Sequence, residues 1–344
     1  MIRIISLPAR DGDCFFLLFE GTTRTILVID SGYADDIYAY HFFPQLKALL
    51  DEAPCDVKML LTHIDRDHIE GYKELFTDKR FDAYTDRISA FYYNSFNALH
   101  DAAPGLTAKD VGAAETLSRG SLTSFQDGLT LEKVLQEKKI PIQSGLFSGV
   151  VFDLETDIRV TVLSPSQASL RRYENWVDKE KRAAGLTAGA STDYTEGLEA
   201  LAKCPFRADS NPVNASSIGI LLETGAHKML FLGDALPADI ANGLKAQGYS
   251  KENPCTVDLV KLSHHGSRHN TSPELLGLLH SKVFAISGKG TRGHPYKEKL
   301  ARIVATQEEP VFWFNQDIIH DIFCETELAS GMFQAIFREE WVLE

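Results

Sequence analysis

The chain opens as short apolar runs set between polar turns. "IRIISL" (2–7), "CFFLLFE" (14–20) and, past a turn at Gly21, "TILVID" (25–30) have the length and composition of strands. Residues 37–52 predict a helix packed on them, ended by Pro54. "DVKMLLT" (56–62) predicts a buried strand, and "IEGYKELF" (69–76) starts a helix behind it. From about Arg80 to Gly149 strand patterns thin out and helical ones dominate, as in "DGLTLEKVLQEKK" (127–139). Strands resume with "IRVTVLS" (158–164), "SIGILLE" (217–223), "KMLFLGD" (228–234) and "TVDLVKLSHH" (256–265). A helix from Pro273, the strand "KVFAIS" (282–287), a helix from Tyr296 and terminal strands complete the pattern. Hairpins first and strand–helix alternation later fit two sheets face to face with helices outside. The reading is one α/β domain over 1–344, with a mainly helical insertion at 80–150 and a long loop region at 166–212.

Composition narrows this only a little. Apolar residues make up 44% of the chain and charged residues 24%, the balance of a globular protein and not of a disordered one. The longest apolar runs are far too short to span a bilayer, so no membrane role is expected. The N-terminus turns charged before a signal-type apolar region forms, and the five cysteines are scattered with no CxxC pair. A cytoplasmic protein with reduced thiols is expected, with neither a zinc knuckle nor a disulfide framework.

The chemistry concentrates where apolar runs end. Directly after the strand at 56–62 comes "HIDRDH", with His63, Asp65, Asp67 and His68 at i, i+2, i+4 and i+5. Imidazole and carboxylate are the ligands of hydrolytic metal sites, and a loop leaving a strand end turns such positions toward one centre. A polar turn with Asp67 as a helix cap would explain one aspartate and leave the rest to coincidence. "LFLGDA" puts Asp234 past another buried strand, and "LVKLSHHGS" puts His264 and His265 at the end of a third. Gly12, Gly32, Gly71, Gly233 and Gly266 stand beside these clusters, where tight turns favour glycine. No GxxxxGK[ST], GxGxxG or GxSxG occurs, so nucleotide-binding folds and serine hydrolases drop out.

HxDxDHxxG, a strand-end "GD" and then "HHGS" resemble the metallo-β-lactamase fold, an αββα sandwich. The likeness is greatest to the branch found in the C-terminal domain of the competence protein ComEC. "DGDCFFL", "ILVIDSG" with Asp30, "VLSPS", "NASSIGILLE" and "TRGHP" match that branch in type and order, outside 80–150 and the loop region. The resemblance implies two divalent ions, zinc or manganese. It implies His63 and Asp65 on one ion, and Asp67, His68 and either His264 or His265 on the other, with Asp234 bridging. The commoner family pattern has histidine where this chain has Asp65. Its third-cluster histidine is also absent, with Asn214, Ser216 and Ser217 near that place. The ComEC-like branch shares both departures. His294, which alone would read as a surface-loop residue, becomes a group behind the ligands or facing a phosphate. Asp13 supports the metal loop or simply forms a turn.

A metal pair makes hydroxide available near neutral pH and stabilises both oxygens of an in-line displacement. Asp67 and His294 are the candidate catalytic groups, and Asp65 in place of an imidazole hardens the site toward manganese. The net charge is −13, yet Leu259 to Ile303 carries eight basic and two acidic residues. That cationic stretch brackets the candidate histidines, so a phosphate-bearing substrate is expected, with Arg268, Arg292, Ser267 and Asn214 as its contacts. The expected activity is phosphodiester hydrolysis, with nucleic acid the first candidate substrate. A small phosphodiester or nucleotide is the alternative, as is a toxin-like or defence effector recruited by a partner protein. The 80–150 insertion serves such a scheme as a cap on the site or as a face for a protein partner.

Overall fold

A computed structural model describes residues 1–344 except 22, 96–118, 181–191 and 292. The first sheet is built from β1 (Ile2–Ser6), β2 (Phe15–Phe19), β3 (Thr25–Ile29), β4 (Asp56–Leu60), β5 (Ile88–Tyr92) and β6 (Ile142–Gln143). The second contains β7 (Val151–Glu155), β8 (Ile158–Ser164), β9 (Gly219–Thr224), β10 (Lys228–Phe231), β11 (Cys255–Lys261), β12 (Leu279–Ile286), β13 (Val311–Phe314) and β14 (Gln334–Phe337). The last strand, β15 (Glu340–Leu343), returns to the first sheet beside β1. The orders are β15-β1-β2-β3-β4-β5-β6 and β14-β13-β12-β11-β10-β9-β8-β7.

Alternation within the strands explains why the sheets stack. Ile4, Phe15, Leu17, Leu27 and Ile29 join Val162, Ile220, Phe231 and Leu259 in one cluster between the sheets. Phe16, Leu18, Ile26 and Val28 point the other way, onto helix residues such as Leu46, Ile69 and Leu75. Both faces of the central strands are therefore covered, and the sequence shows continuous apolar runs such as "FFLLF" rather than alternation. Each such side chain contributes roughly 1.5–3 kcal/mol on burial. The helices Phe43–Glu52 and Arg66–Thr77 cover the first sheet; Pro237–Ala246, Pro273–Gly277 and Lys297–Thr306 cover the second through Leu244, Leu275 and Leu300. The result is the αββα sandwich expected from the sequence.

The 80–150 segment is not helical throughout. It holds the helix Arg119–Glu137, but β5 and β6 extend the first sheet inside it. A strand of two residues such as β6 leaves no periodicity to read. The 166–212 region likewise contains the helices Gln167–Glu180 and Leu198–Ala202. No helix among the described residues is long and apolar enough to cross a membrane.

The directions of the strands place the site. β3, β4 and β5 run parallel, as do β10, β11, β12 and β13, so the loops leaving their C-terminal ends gather along one edge. Open α/β sheets bind their ligands at such an edge.

Candidate metal centre

The loop after β4 carries His63, and the helix Arg66–Thr77 begins within the motif. Asp65 is the helix N-cap by backbone conformation but makes no side-chain cap bond, and Asp67 lies in the first turn. Capping therefore occupies neither carboxylate. Asp65 Oδ2 lies 3.6 Å from His63 Nε2, and Asp67 Oδ2 lies 3.4 Å from His265 Nε2.

Asp234 stands at the centre of four imidazoles. Its Oδ2 is 3.9 Å from His63 Nε2, 3.7 Å from His264 Nε2 and 3.6 Å from His265 Nε2, while its Oδ1 is 3.6 Å from His68 Nε2. These separations are too long for good hydrogen bonds. Two ligands about 2.1 Å from one tetrahedral ion lie about 3.4 Å apart, so the spacing suits a shared ion. The Nε2 atoms of His63, His68 and His265 and Oδ1 of Asp234 are buried and have no hydrogen-bond partner. Buried polar atoms are almost always paired, and four orphans facing one point need a common partner.

Each imidazole is held from behind through Nδ1, which leaves Nε2 turned inward. His68 Nδ1 lies 2.7 Å from Asp30 Oδ2, and Asp30 also accepts from the backbone and hydroxyl of Thr62. Thr62 Oγ1 is 3.1 Å from His63 Nδ1. His265 Nδ1 lies 3.1 Å from Asp13 Oδ1 and 3.3 Å from Ser287 Oγ. His264 Nδ1 lies 3.2 Å from both Asn214 Nδ2 and Asn270 Oδ1, and 3.5 Å from Asp209 Oδ2.

The sequence left open which histidine of the pair faces the metals; in the structure both approach Asp234. The chain does this by placing His264 and His265 consecutively in the left-handed region, with φ of 52° and 49°. Such conformations cost free energy for non-glycine residues and persist where the surroundings over-determine them. Here Ser263 Oγ donates to Ala235 O at 2.8 Å, His264 N to Gly233 O at 2.9 Å, and Lys299 Nζ to Ser263 O at 2.9 Å. Gly12 is required for close approach, since a Cβ there would collide with the carbonyl of Asp67.

The charges interlock. Burial pushes the Asp67 carboxyl up, but its bond to His265 and the charge of His68 outweigh this and bring it down to about 2. Burial pushes His265 down, but Asp234 and Asp13 raise it to about 9. Burial also opposes ionisation of Asp234, yet the surrounding imidazoles hold it well below the usual carboxylate range.

Asp13, His68, Asp234 and His265 offer ligand atoms within 4.8 Å of one another, all four buried. Asp13 is nevertheless already taken by His265 Nδ1, the Ser287 hydroxyl and Lys261 Nζ, so it backs a ligand. Around Asp234 the side chains of His63, His68, His264 and His265 therefore converge, with Asp65 beside His63 and Asp67 beside His265, a donor set of the kind that holds divalent ions.

Other expected site residues have different surroundings. The ring of His294 lies 4.8 Å from that of His264 and 6.4 Å from that of His265, beside the cluster. Burial and then the charges of His264 and His265 push it down to about 2. Asn214 donates to Asp209 at 2.7 Å and backs His264, and the Ser267 hydroxyl accepts from His269 N at 3.3 Å within its own turn. Arg268 stacks on the Tyr296 ring at 4.2 Å and lies 3.7 Å from Glu298. Arg292 lies outside the described residues.

Among the described residues, the cationic stretch forms only part of the rim that its sequence implied. Lys261, Lys297, Lys299 and Arg302 are buried. Lys261 meets Asp13, Lys297 meets Glu327 at 2.9 Å, Lys299 meets a carbonyl, and Arg302 meets Glu298. Their charge is spent inside the protein, which net charge along a segment does not reveal. Asp209, Asn270, Ser287 and Lys299 carried no motif signal. Lys261 had one, as a lysine within the apolar run "LVKLS".

Fold and cluster together define a candidate metalloenzyme of the αββα class. No family model and no curated protein matches the chain. Among solved structures it is similar to CmlA, a diiron β-hydroxylase from Streptomyces venezuelae, at 13% identity and a TM-score of 0.42, covering 99% of this chain and 54% of that one. It is also similar to Zn²⁺-bound PqqB from Methylobacterium extorquens, at 10% identity and a TM-score of 0.41, covering 95% and 87%. AidC, a dizinc quorum-quenching lactonase, overlaps at 13% identity and a TM-score of 0.31, covering 64% and 56%. The chain thus spans about half the length of the hydroxylase. At such overlap none of these structures informs the chemistry of this chain.

Proposed function

We propose that the chain is a metal-dependent hydrolase of the metallo-β-lactamase type, most similar to the ComEC-like branch, and that it cleaves phosphodiesters. The observation that carries the metal reading is the set of buried, unpartnered Nε2 atoms of His63, His68 and His265 around Asp234. A bound metal pair would supply an activated water and charge stabilisation for an in-line displacement. The chain's own part is to orient: four imidazoles are fixed through Nδ1, and three carboxylates, Asp65, Asp67 and Asp234, face inward. Those carboxylates favour a harder ion, manganese, over an all-imidazole site's zinc. His294, whose ring lies 4.8 Å from that of His264, would exchange a hydrogen bond with a substrate oxygen.

Nucleic acid remains a candidate substrate through Arg268, whose guanidinium is only partly covered. The burial of four of the eight basic residues between Leu259 and Ile303 favours a different one, a small phosphodiester that needs no long phosphate track. The test is a panel of single-stranded DNA, duplex DNA, RNA, bis-p-nitrophenyl phosphate, phosphorylcholine esters and a β-lactam, each with manganese and with zinc. Diester cleavage with manganese ahead is expected. Hydrolysis of the lactam alone, or no metal in the purified protein and none restoring activity, would overturn the proposal.

A further inference from the structure

Lys261 interrupts an otherwise apolar surface. On β11 Leu259 belongs to the cluster between the sheets and Val260 to the outer one, so the period of two puts Lys261 on the inner face. It is buried there, and its Nζ contacts Asp13 and lies 3.4 Å from the carbonyl of Gly233. Asp13 Oδ1 in turn lies 3.1 Å from His265 Nδ1 and accepts from the Ser287 hydroxyl. One carboxylate thus joins a lysine to an imidazole. The same ammonium touches the peptide immediately before Asp234.

Folding energy does not account for this pair. A buried ion pair is often no better than apolar residues of similar volume, because desolvating both charges offsets their attraction. Loss of one partner is a different matter, since an isolated buried carboxylate protonates or turns away.

We propose that Lys261 is a positioning residue for His265. It pins Asp13 as the acceptor of the Nδ1 proton, so that the Nε2 lone pair faces Asp67 and Asp234. The inference rests on the metal-centre reading above, and the experiment separates the two.

The metal-free protein is titrated with Zn²⁺ against a chelating dye and with Co²⁺ by its absorption spectrum, alongside unfolding followed by circular dichroism. Wild type is expected to bind two ions; binding none refutes the metal centre itself. Lys261→Met is expected to weaken one of the two ions by about 10–100-fold, the usual cost of losing a group that orients a ligand. Asp13→Asn should do the same, and the double variant should be no worse than either, because both act through one contact. Lys261→Met with both affinities unchanged would overturn the inference, and so would losses that multiply in the double variant. If Lys261→Met alone does not fold, the neutral double variant supplies the answer: one weakened ion supports the relay, and two ions at wild-type affinity refute it.

Discussion

Two lysines stand on the inner faces of the two sheets, and their surroundings differ in kind. Lys58 on β4 meets Asp56 and lies 3.3 Å from Glu155, and those acceptors' side chains remain 23% and 36% exposed. Lys261 on β11 meets Asp13, of which 2% is exposed, and Asp13 is shared with His265. At the Lys58 end every charge has a partner with water nearby. At the Lys261 end the pairing is complete behind the imidazoles, and orphaned atoms remain in front of them. Burial of charge therefore does not mark function by itself. A fully paired layer supporting an unpaired one does.

The largest effect that tests this contrast is at the unpaired layer. Asp234→Ala removes the carboxylate that the four imidazoles share. Both ions should be lost by elemental analysis, and kcat/KM should fall by several orders of magnitude, since activated water and charge stabilisation go together. Lys58→Met should do neither. Retention of both ions in Asp234→Ala would break the contrast.

Acid and base sharpen it next. His265 is raised to about 9, so in the metal-free protein its contribution is complete below the unfolded value of about 6.5 and is lost as pH rises through 9. Asp67 is lowered to about 2, so its contribution is complete above about 4 and is lost as pH falls through 2. With chelator present, stability in urea should be highest between about pH 4 and 6.5 and decline toward pH 9 by an amount on the order of a few kcal/mol. Metal should oppose that decline, because its ligands bind deprotonated. A metal-free protein whose stability rises from pH 6.5 to 9 would contradict the interlocked charges.

Arg268→Ala follows in size. Its guanidinium stacks on Tyr296, which precedes the helix beginning at Lys297 and follows His294 and Pro295. If a nucleic acid chain crosses this side of the site, its turnover should fall about tenfold while a small diester loses little, and the salt dependence should flatten. No loss on either substrate would leave the small phosphodiester as the substrate class.

What the sequence showed and what it hid divide along the same physical line. His63, Asp65, Asp67 and His68 lie within one strand–loop–helix unit, and their spacing alone brings them together. Asp234, His264 and His265 were legible because each follows an apolar run that ends at the same edge of a sheet. Asp13 reads in the sequence as a support for the metal loop or a turn, and it stands behind His265; Asp209 and Ser287 reach the site from positions that no motif marks. The burial of half of the cationic stretch has the same origin. Lys297, Lys299 and Arg302 lie in and around one turn of a helix, and which face of it is buried depends on the sheet beneath. Charge counts carry no such information.

The smallest expected effect belongs to Lys58→Met. The variant leaves Asp56 and Glu155 without their ammonium, but both side chains reach water, so the cost should stay within about 1 kcal/mol, as for exposed pairs. The new side chain would sit on the inner face beside Leu60, in apolar surroundings that offset part of even that loss. Metal affinity should be unchanged for both ions, because among the described residues Lys58 meets Asp56 and Glu155, away from the imidazoles. The measurement is a urea transition paired with the same Zn²⁺ titration used for Lys261→Met. A Lys58 variant that weakened an ion as much as the Lys261 variant would mean that any buried lysine between the sheets perturbs the centre through general packing. The distinction between a lysine that supports the fold and one that orients a ligand would then have to be abandoned.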